Sequence, residues 1–145
     1  MSAIKEPGVL GPVIALNLWT FFMEGWMYAK RIPAISKYKI PMDPNLPKEQ
    51  MSAKYPAYIR WVADNYNHLM EQPTQFYAVA LSIALMHGNK GSKTDVALAW
   101  SYVGLRVIHS LVHVSTNNIT TRFMVFVSSS FVLLGLTANA AKLVF

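Results

Sequence analysis

The segment 123–141 carries no charged side chain and is apolar over most of its length. A bilayer core about 30 Å thick is crossed by about 20 helical residues, because each residue advances a helix by about 1.5 Å. The segment is therefore long and apolar enough to span a membrane as a helix. This feature predicts an all-α membrane protein.

Three further spans follow from the same length requirement. The segments 9–27 and 96–114 are comparably long and mostly apolar. The segment 75–86 is apolar but too short to cross alone, so its helix must reach back to about Asn67. We therefore predict one domain, residues 1–145, that forms a four-transmembrane-helix bundle with spans at about 9–27, 67–87, 96–114 and 123–141.

The composition agrees with a membrane protein. The 145 residues are 53% hydrophobic and 14% charged, whereas soluble domains average about 25% charged residues. The chain has no cysteine, which excludes disulfides, thiolate nucleophiles and cysteine-ligated zinc. Its net charge of +6 could indicate nucleic-acid binding, but no nucleic-acid-binding motif accompanies the basic residues. We predict no nucleic-acid partner.

The basic residues predict the orientation of the chain. They concentrate in the first loop, at Lys30, Arg31, Lys37, Lys39, Lys48, Lys54 and Arg60. By the positive-inside rule, loops 28–66 and 115–122 lie in the cytoplasm, on a multi-pass protein of a bacterial inner membrane or an endomembrane. The first loop also holds Pro33, Pro41, Pro44, Pro47 and Pro56, so we expect much of it to be irregular.

The second predicted helix carries polar side chains three or four residues apart, which places them on one helical face. They are Asp64, Asn67 or His68, Glu71 and Gln75. Pro73 follows, and because proline disrupts helical hydrogen bonding we expect a kink near Glu71. At the edge of a membrane these polar groups should face protein or a wet cleft rather than lipid.

Arg106, His109 and His113 share one face of the third predicted helix. Arg106 lies about 12 Å along the helix from the end of its span. An unpaired arginine at this depth costs about 2.5–3.5 kcal/mol, and we predict Glu71 as its acidic partner. A purely structural ion pair is an equal alternative to a functional one.

Polar groups from all four predicted helices meet in the cytoplasmic half of the bundle. They are Lys30 and Arg31, the run from Asn67 to Glu71, His109 and His113, and Arg122. A cationic, partly desolvated pocket of this kind suits a small anionic ligand. Alternatively, the basic side chains only extend to phospholipid headgroups, and His109 and His113 have structural roles.

Two sequence pairs could suggest a metal site. His68-x-x-Glu71 and His109-x-x-x-His113 each place two possible ligands on one helical face. Carboxylate-bridged di-iron bundles need four carboxylates and two Glu-x-x-His motifs. The chain lacks that set, so we predict no bound metal.

The residues 58–73 (YIRWVADNYNHLMEQP) and 104–113 (GLRVIHSLVH), followed by Arg122, resemble the MAPEG family, the membrane-associated proteins in eicosanoid and glutathione metabolism. The first stretch is similar to the family's helix-two signature, an Asn shortly before a Glu and then a Pro. The second is similar to its helix-three Arg-x-x-His. The resemblance extends over residues 15–134.

The resemblance implies a homotrimer that binds glutathione as co-substrate in clefts between subunits, together with membrane lipid and a lipophilic substrate. It implies that Arg122 is catalytic and stabilises the glutathione thiolate. The residues implied in glutathione binding are Arg31, Asn67, His68, Glu71, Arg106 and His113. Ser128, Ser129, Ser130, Ala138, Ala140 and Ala141 permit the close helix approach that a trimer needs.

The sequence departs from the family pattern at the glutathione site. Asn67 lies four residues before Glu71, and His68 holds the position expected for the Asn. Tyr66 and Ala63 or Asp64 stand where family enzymes carry arginines, and His113 stands where the animal enzymes carry a tyrosine.

The sequence is therefore consistent with three functions. The first is a glutathione transferase or peroxidase that acts on hydrophobic electrophiles or lipid hydroperoxides. The second is a non-catalytic lipid-binding or scaffold protein on the same fold. The third is an enzyme of the same class that uses another thiol or anion.

Overall fold

The computed structural model describes residues 8–88 and 90–145. Within these residues the chain forms helices and no strands. The helices are α1 (Leu10–Lys37), α2 (Lys48–Ala53), α3 (Ala57–Glu71), α4 (Thr74–Met86), α5 (Lys93–Ser115) and α6 (Ile119–Val144). The all-α prediction is confirmed for this part of the chain.

Pro73 divides the second predicted span into two helices. The helix α3 ends at Glu71 and α4 begins at Thr74, because the proline ring has no N–H to continue the hydrogen-bonding pattern. Pro73 itself is fully buried. At this break the Tyr102 hydroxyl of α5 donates a hydrogen bond to Gln72 Oε1 over 2.9 Å. The expected kink is therefore a complete interruption that packs against α5.

The expectation of a largely irregular first loop was wrong for much of it. The helix α1 continues through Pro33 to Lys37, and α2 and α3 both begin inside the predicted loop. Pro47 and Pro56 immediately precede these two helices with φ near −55°, a value that suits a helix start. A small buried cluster holds the end of α1 against the loop and α3, and consists of Ala34, Ile40, Tyr55 and Ile59.

The main core joins α1, α4, α5 and α6, with the largest interface between α5 and α6. Its fully buried side chains include Leu16, Phe76, Tyr102 and Leu136. The rings of Phe76 and Tyr102 stack with centroids 4.5 Å apart. This packing fixes the face that α5 turns toward the interior.

The start of α5 is fixed by a capping box. Ser92 Oγ accepts a hydrogen bond from the Asp95 N–H over 3.1 Å, and Asp95 Oδ2 accepts one from the Ser92 N–H over 2.8 Å. Asn139 of α6 donates from Nδ2 to Asp95 Oδ1 over 3.0 Å. Because Asp95 is buried, these bonds satisfy its carboxylate and set the register of α5 on α6.

The helix α6 is long and apolar enough to cross a membrane, and it is the one helix of the described residues that meets both requirements. Its outward side exposes Phe123, Phe131 and Leu134, which suits contact with lipid. The other three predicted spans lie in α1, in α3 with α4, and in α5, and they remain predictions.

Candidate functional site

One face of α5 carries a buried row of polar side chains toward α3 and α6. Tyr102, Arg106, His109 and His113 are all buried on this face. Their spacing of three and four residues keeps them on one side of the helix. Tyr102 on this face also belongs to the main core. Packing in the core therefore fixes the direction in which the polar row faces.

Arg106 is fully buried and bonds to a histidine. Its Nη2 lies 2.7 Å from His68 Nδ1. A guanidinium has only donors, so Nδ1 is the acceptor and the His68 ring carries its proton on Nε2. Arg106 Nε and Nη1 have no hydrogen-bond partner among the described residues. The buried cation therefore has two donor atoms that no acceptor in this part of the chain satisfies.

Glu71 is not the partner of Arg106, which corrects the predicted ion pair. The face that α3 buries carries Ile59, Val62 and Leu69, and these apolar contacts decide how the helix is rotated. Glu71 lies away from that face and is exposed, whereas Arg106 is fully enclosed. His68 is the side chain of α3 that reaches the guanidinium.

Three histidines form a row that begins at the Arg106 guanidinium. The His68 and His109 rings stack with centroids 4.8 Å apart, and His109 meets His113 edge-on at 5.9 Å. The Phe126 ring of α6 contacts His68 edge-on at 5.8 Å. Among residues 8–88 and 90–145, no group of three or more His, Asp or Glu side chains is placed to hold a metal ion.

Arg122 stands at the start of α6, across a cavity from the histidines. Its Nη1 donates a hydrogen bond to Asn117 Oδ1, while its Nε has no protein partner. Asn117 has a left-handed backbone with φ of 50°, and Asn118 caps α6 by accepting from the Thr121 N–H over 3.0 Å. The short turn between α5 and α6 thus positions the Arg122 guanidinium.

The cavity has a volume of about 310 Å³ and opens to the protein surface. Its lining residues are His68, His109, Ile119, Arg122, Phe123 and Phe126. The lining therefore combines a guanidinium and two imidazoles with three apolar side chains. None of these lining residues is acidic. Such a cavity suits a ligand that joins an anionic group to a lipophilic one.

Four of the residues predicted for the site lie in this region, and three do not. His68, Arg106, His113 and Arg122 belong to the row and the cavity just described. Asn67 and Glu71 are exposed on the outward side of α3. Arg31 lies elsewhere, with Cζ 5.0 Å from the centroid of the Tyr55 ring. A single chain therefore assembles only part of the predicted set.

The sequence did not single out two buried polar residues, Asn65 and Ser110. Asn65 is fully buried, and neither of its amide atoms has a hydrogen-bond partner among the described residues. Ser110 Oγ is also buried without a partner in this part of the chain. The apolar positions 62 and 69 could have indicated Asn65, which lies three residues after one and four before the other, on the buried face of α3.

Comparison with known proteins gives one match. The model of the MAPEG family matches residues 9–142. No curated protein and no solved structure matches the chain.

Proposed function

Because this chain belongs to the MAPEG family, we propose that it is a glutathione transferase or peroxidase that acts on hydrophobic electrophiles or lipid hydroperoxides. The match confirms the resemblance drawn from residues 58–73 and 104–113. Family membership and the apolar helix α6 make it a membrane protein related to glutathione or eicosanoid metabolism. The specific activity is our proposal.

The observation that carries the proposal is the unbalanced positive charge around the cavity. Arg106 is buried, and among the described residues its hydrogen bond goes to the neutral Nδ1 of His68. Arg122 lines the cavity, and its Nε has no hydrogen-bond partner in the described part of the chain. A buried cation is stable only when it is paired or hydrogen-bonded. An anionic ligand such as glutathione in the cavity would balance this positive charge.

The chemistry follows from that charge. A free thiol has a pKa of about 8.5, and a fixed guanidinium in a low-dielectric cleft favours the thiolate. In the transferase reaction the thiolate sulfur of glutathione forms a bond to the electrophilic carbon, and the leaving group departs with its electron pair. We assign the stabilisation of the thiolate to Arg122, and the binding of the tripeptide to Arg106, His68 and His113.

The peroxidase reaction uses the same thiolate. Its sulfur attacks the terminal oxygen of the hydroperoxide, the O–O bond breaks and the lipid alcohol leaves after taking up a proton. A second glutathione then displaces hydroxide from the oxidised sulfur, which gives water and glutathione disulfide. Ile119, Phe123 and Phe126 offer the apolar wall for the lipophilic partner.

The proposal includes four membrane spans and a homotrimer. Asp64, Asn67, Glu71 and Gln75 are exposed on the single chain. Polar groups at the edge of a membrane are stable only against protein or water, and a second copy of the chain would cover them. In that assembly Asn67 and Glu71 of one subunit would complete the cavity of its neighbour. The cytoplasmic placement of loops 28–66 and 115–122 belongs to the same proposal.

Turnover of the purified protein tests the proposed activity. We expect glutathione-dependent conjugation of 1-chloro-2,4-dinitrobenzene or reduction of cumene hydroperoxide, and we expect Arg122→Ala to lower the rate at least about a hundredfold. Arg60→Ala is the matched control, because Arg60 is an exposed arginine of α3 outside the cavity. Unchanged turnover of folded Arg122→Ala would exclude the role given to Arg122.

A second candidate is a non-catalytic lipid-binding or scaffold protein. It is favoured by the position of Asn67 and Glu71, which lie outside the cavity of their own chain. It is also favoured by Tyr66 and by Ala63 or Asp64, at positions where family enzymes carry arginines. Failure to bind glutathione at millimolar concentration would support this candidate.

The third candidate is an enzyme of the same class that uses a thiol other than glutathione. Activity measured with a panel of low-molecular-weight thiols distinguishes it from the first candidate.

A further inference from the structure

A second cavity lies between the end of α1 and α2, away from the histidines. It has a volume of about 350 Å³, within the usual range for ligand pockets of about 300–1,000 Å³. Most of its lining is apolar and includes Ile32, Ile35, Met42 and Met51. Methionines are flexible and adapt to ligands of variable shape. We call this cavity the loop groove.

Two cations belong to the loop groove. Arg31 and Lys48 both line it, one from α1 and one from the first turn of α2. Arg31 is placed by the buried Tyr55, whose ring centroid lies 5.0 Å from Cζ. Among the described residues, none that lines the groove is acidic. The groove therefore combines apolar walls with a net positive charge.

Two apolar side chains of the loop groove are largely exposed. Ile32 is 62% exposed and Met42 is 74% exposed. Both lie on a segment where basic residues concentrate, between Lys30 and Lys48. On a membrane protein, basic residues concentrate near the ends of spans and are attracted to the anionic lipid surface. An exposed apolar groove with cations in such a segment suits an occupant that is both apolar and anionic.

We propose that the loop groove binds one anionic phospholipid of the surrounding bilayer. Arg31 and Lys48 contact the phosphate, since arginine forms paired charge-assisted hydrogen bonds to phosphate oxygens and lysine adds a point charge. One acyl chain lies along Ile32, Ile35 and Met51, while the second stays in the bilayer. Basic pockets on the cytoplasmic side of membrane helices recognise lipid headgroups in this way. The site is independent of the proposed glutathione chemistry.

Native mass spectrometry of the delipidated, detergent-purified protein tests the site. The probes are phosphatidylglycerol and phosphatidylcholine with the same acyl chains. We expect one phosphatidylglycerol to be retained per chain, bound at least about fivefold more tightly than phosphatidylcholine. Lys48→Glu should weaken phosphatidylglycerol binding at least about fivefold, because one basic residue near an anionic surface contributes about that factor.

Lys54→Glu is the matched control. Lys54 is also an exposed lysine at α2, but it does not line the loop groove. The Lys54→Glu variant should therefore bind phosphatidylglycerol with the affinity of the wild type. Glutathione binding of Lys48→Glu, measured on the same sample, should equal that of the wild type, so failure of the lipid site is distinguishable from failure of the proposed function.

Four results would overturn the lipid site. Equal affinity for the two phospholipids would show that the phosphate charge is not recognised. Equal losses in Lys48→Glu and Lys54→Glu would assign the effect to overall charge. Displacement of phosphatidylglycerol by equimolar palmitate would assign the groove to a free fatty acid. A change of subunit number in Lys48→Glu would show that a second copy of the chain covers the groove.

Discussion

Arg106 of α5 donates a hydrogen bond from Nη2 to Nδ1 of His68 in α3 over 2.7 Å. This contact takes the place of the ion pair with Glu71 that the sequence predicted. The difference matters because a carboxylate would neutralise the guanidinium, whereas a neutral imidazole leaves its charge uncompensated. The positive charge of the proposed site therefore depends on a histidine at position 68.

Replacing His68 tests the contact with Arg106. His68→Ala removes the acceptor and leaves Nη2 of a buried arginine without a partner, which should cost about 1–3 kcal/mol of unfolding free energy. His68→Asn should retain most of the stability, because its carboxamide oxygen can accept the same bond. Chemical denaturation in detergent measures both variants. Equal stability of His68→Ala and the wild type would disprove the contact.

Glu71→Gln separates the two possible partners of Arg106. Glu71 is exposed on the single chain, so the variant should change the unfolding free energy by no more than about 0.5 kcal/mol. Its affinity for glutathione should fall, because Glu71 of a neighbouring subunit is proposed to complete the site. A destabilisation of about 3–5 kcal/mol would instead indicate a broken buried ion pair.

Asn139→Ala tests the junction of α5 and α6 at the far end from the cavity. In this variant the buried Asp95 carboxylate would lose the hydrogen bond that its Oδ1 accepts from Asn139. The loss should lower the unfolding free energy by about 1–3 kcal/mol. Glutathione affinity should not change, because positions 95 and 109 lie about 20 Å apart along α5. Asn17→Ala, at an exposed position of α1, is the control for the loss of an asparagine. An unchanged unfolding midpoint for Asn139→Ala would show that the bond contributes nothing.

Gly91→Ala and Gly88→Ala distinguish steric overlap from backbone strain. Both glycines have left-handed φ, +60° and +58°, which costs a non-glycine residue about 1–2 kcal/mol. A Cβ at position 91 would also lie 2.9 Å from Val9 Cγ1, whereas nothing lies within 4 Å at position 88. Gly91→Ala should therefore be the less stable variant by about 1 kcal/mol or more, as judged from denaturation midpoints. The opposite order would contradict the packing of Val9 against this turn.

The sequence predicted the features that depend on local patterns. A disturbance of the helix near Pro73 follows from the missing N–H of proline, although the sequence predicted a kink and the structure has a complete break. The shared face of Arg106, His109 and His113 follows from helical periodicity. The apolar helix α6 follows from its composition. Each of these needs only the residues of one segment.

The features that the sequence did not predict depend on packing between segments. Which side of α3 faces α5 is decided by the burial of Ile59, Val62 and Leu69, and this rotation turns Asn65 inward and Glu71 outward. The continuation of α1 through Pro33 depends on the cluster formed with Ile40, Tyr55 and Ile59. Tertiary contacts outweighed the local tendency of proline to end a helix.

We propose that Arg122 belongs to a glutathione site, and thermal unfolding of the detergent-purified protein, titrated with reduced glutathione, measures this binding without any assumption about the second substrate. A ligand that binds only the folded state adds about 2.7 kcal/mol at a hundred times its dissociation constant. We expect a saturable rise of the unfolding midpoint below several millimolar glutathione, which Arg122→Ala should abolish and Arg60→Ala should retain. A flat response of the wild type, or an equal rise in Arg122→Ala, would contradict the proposal.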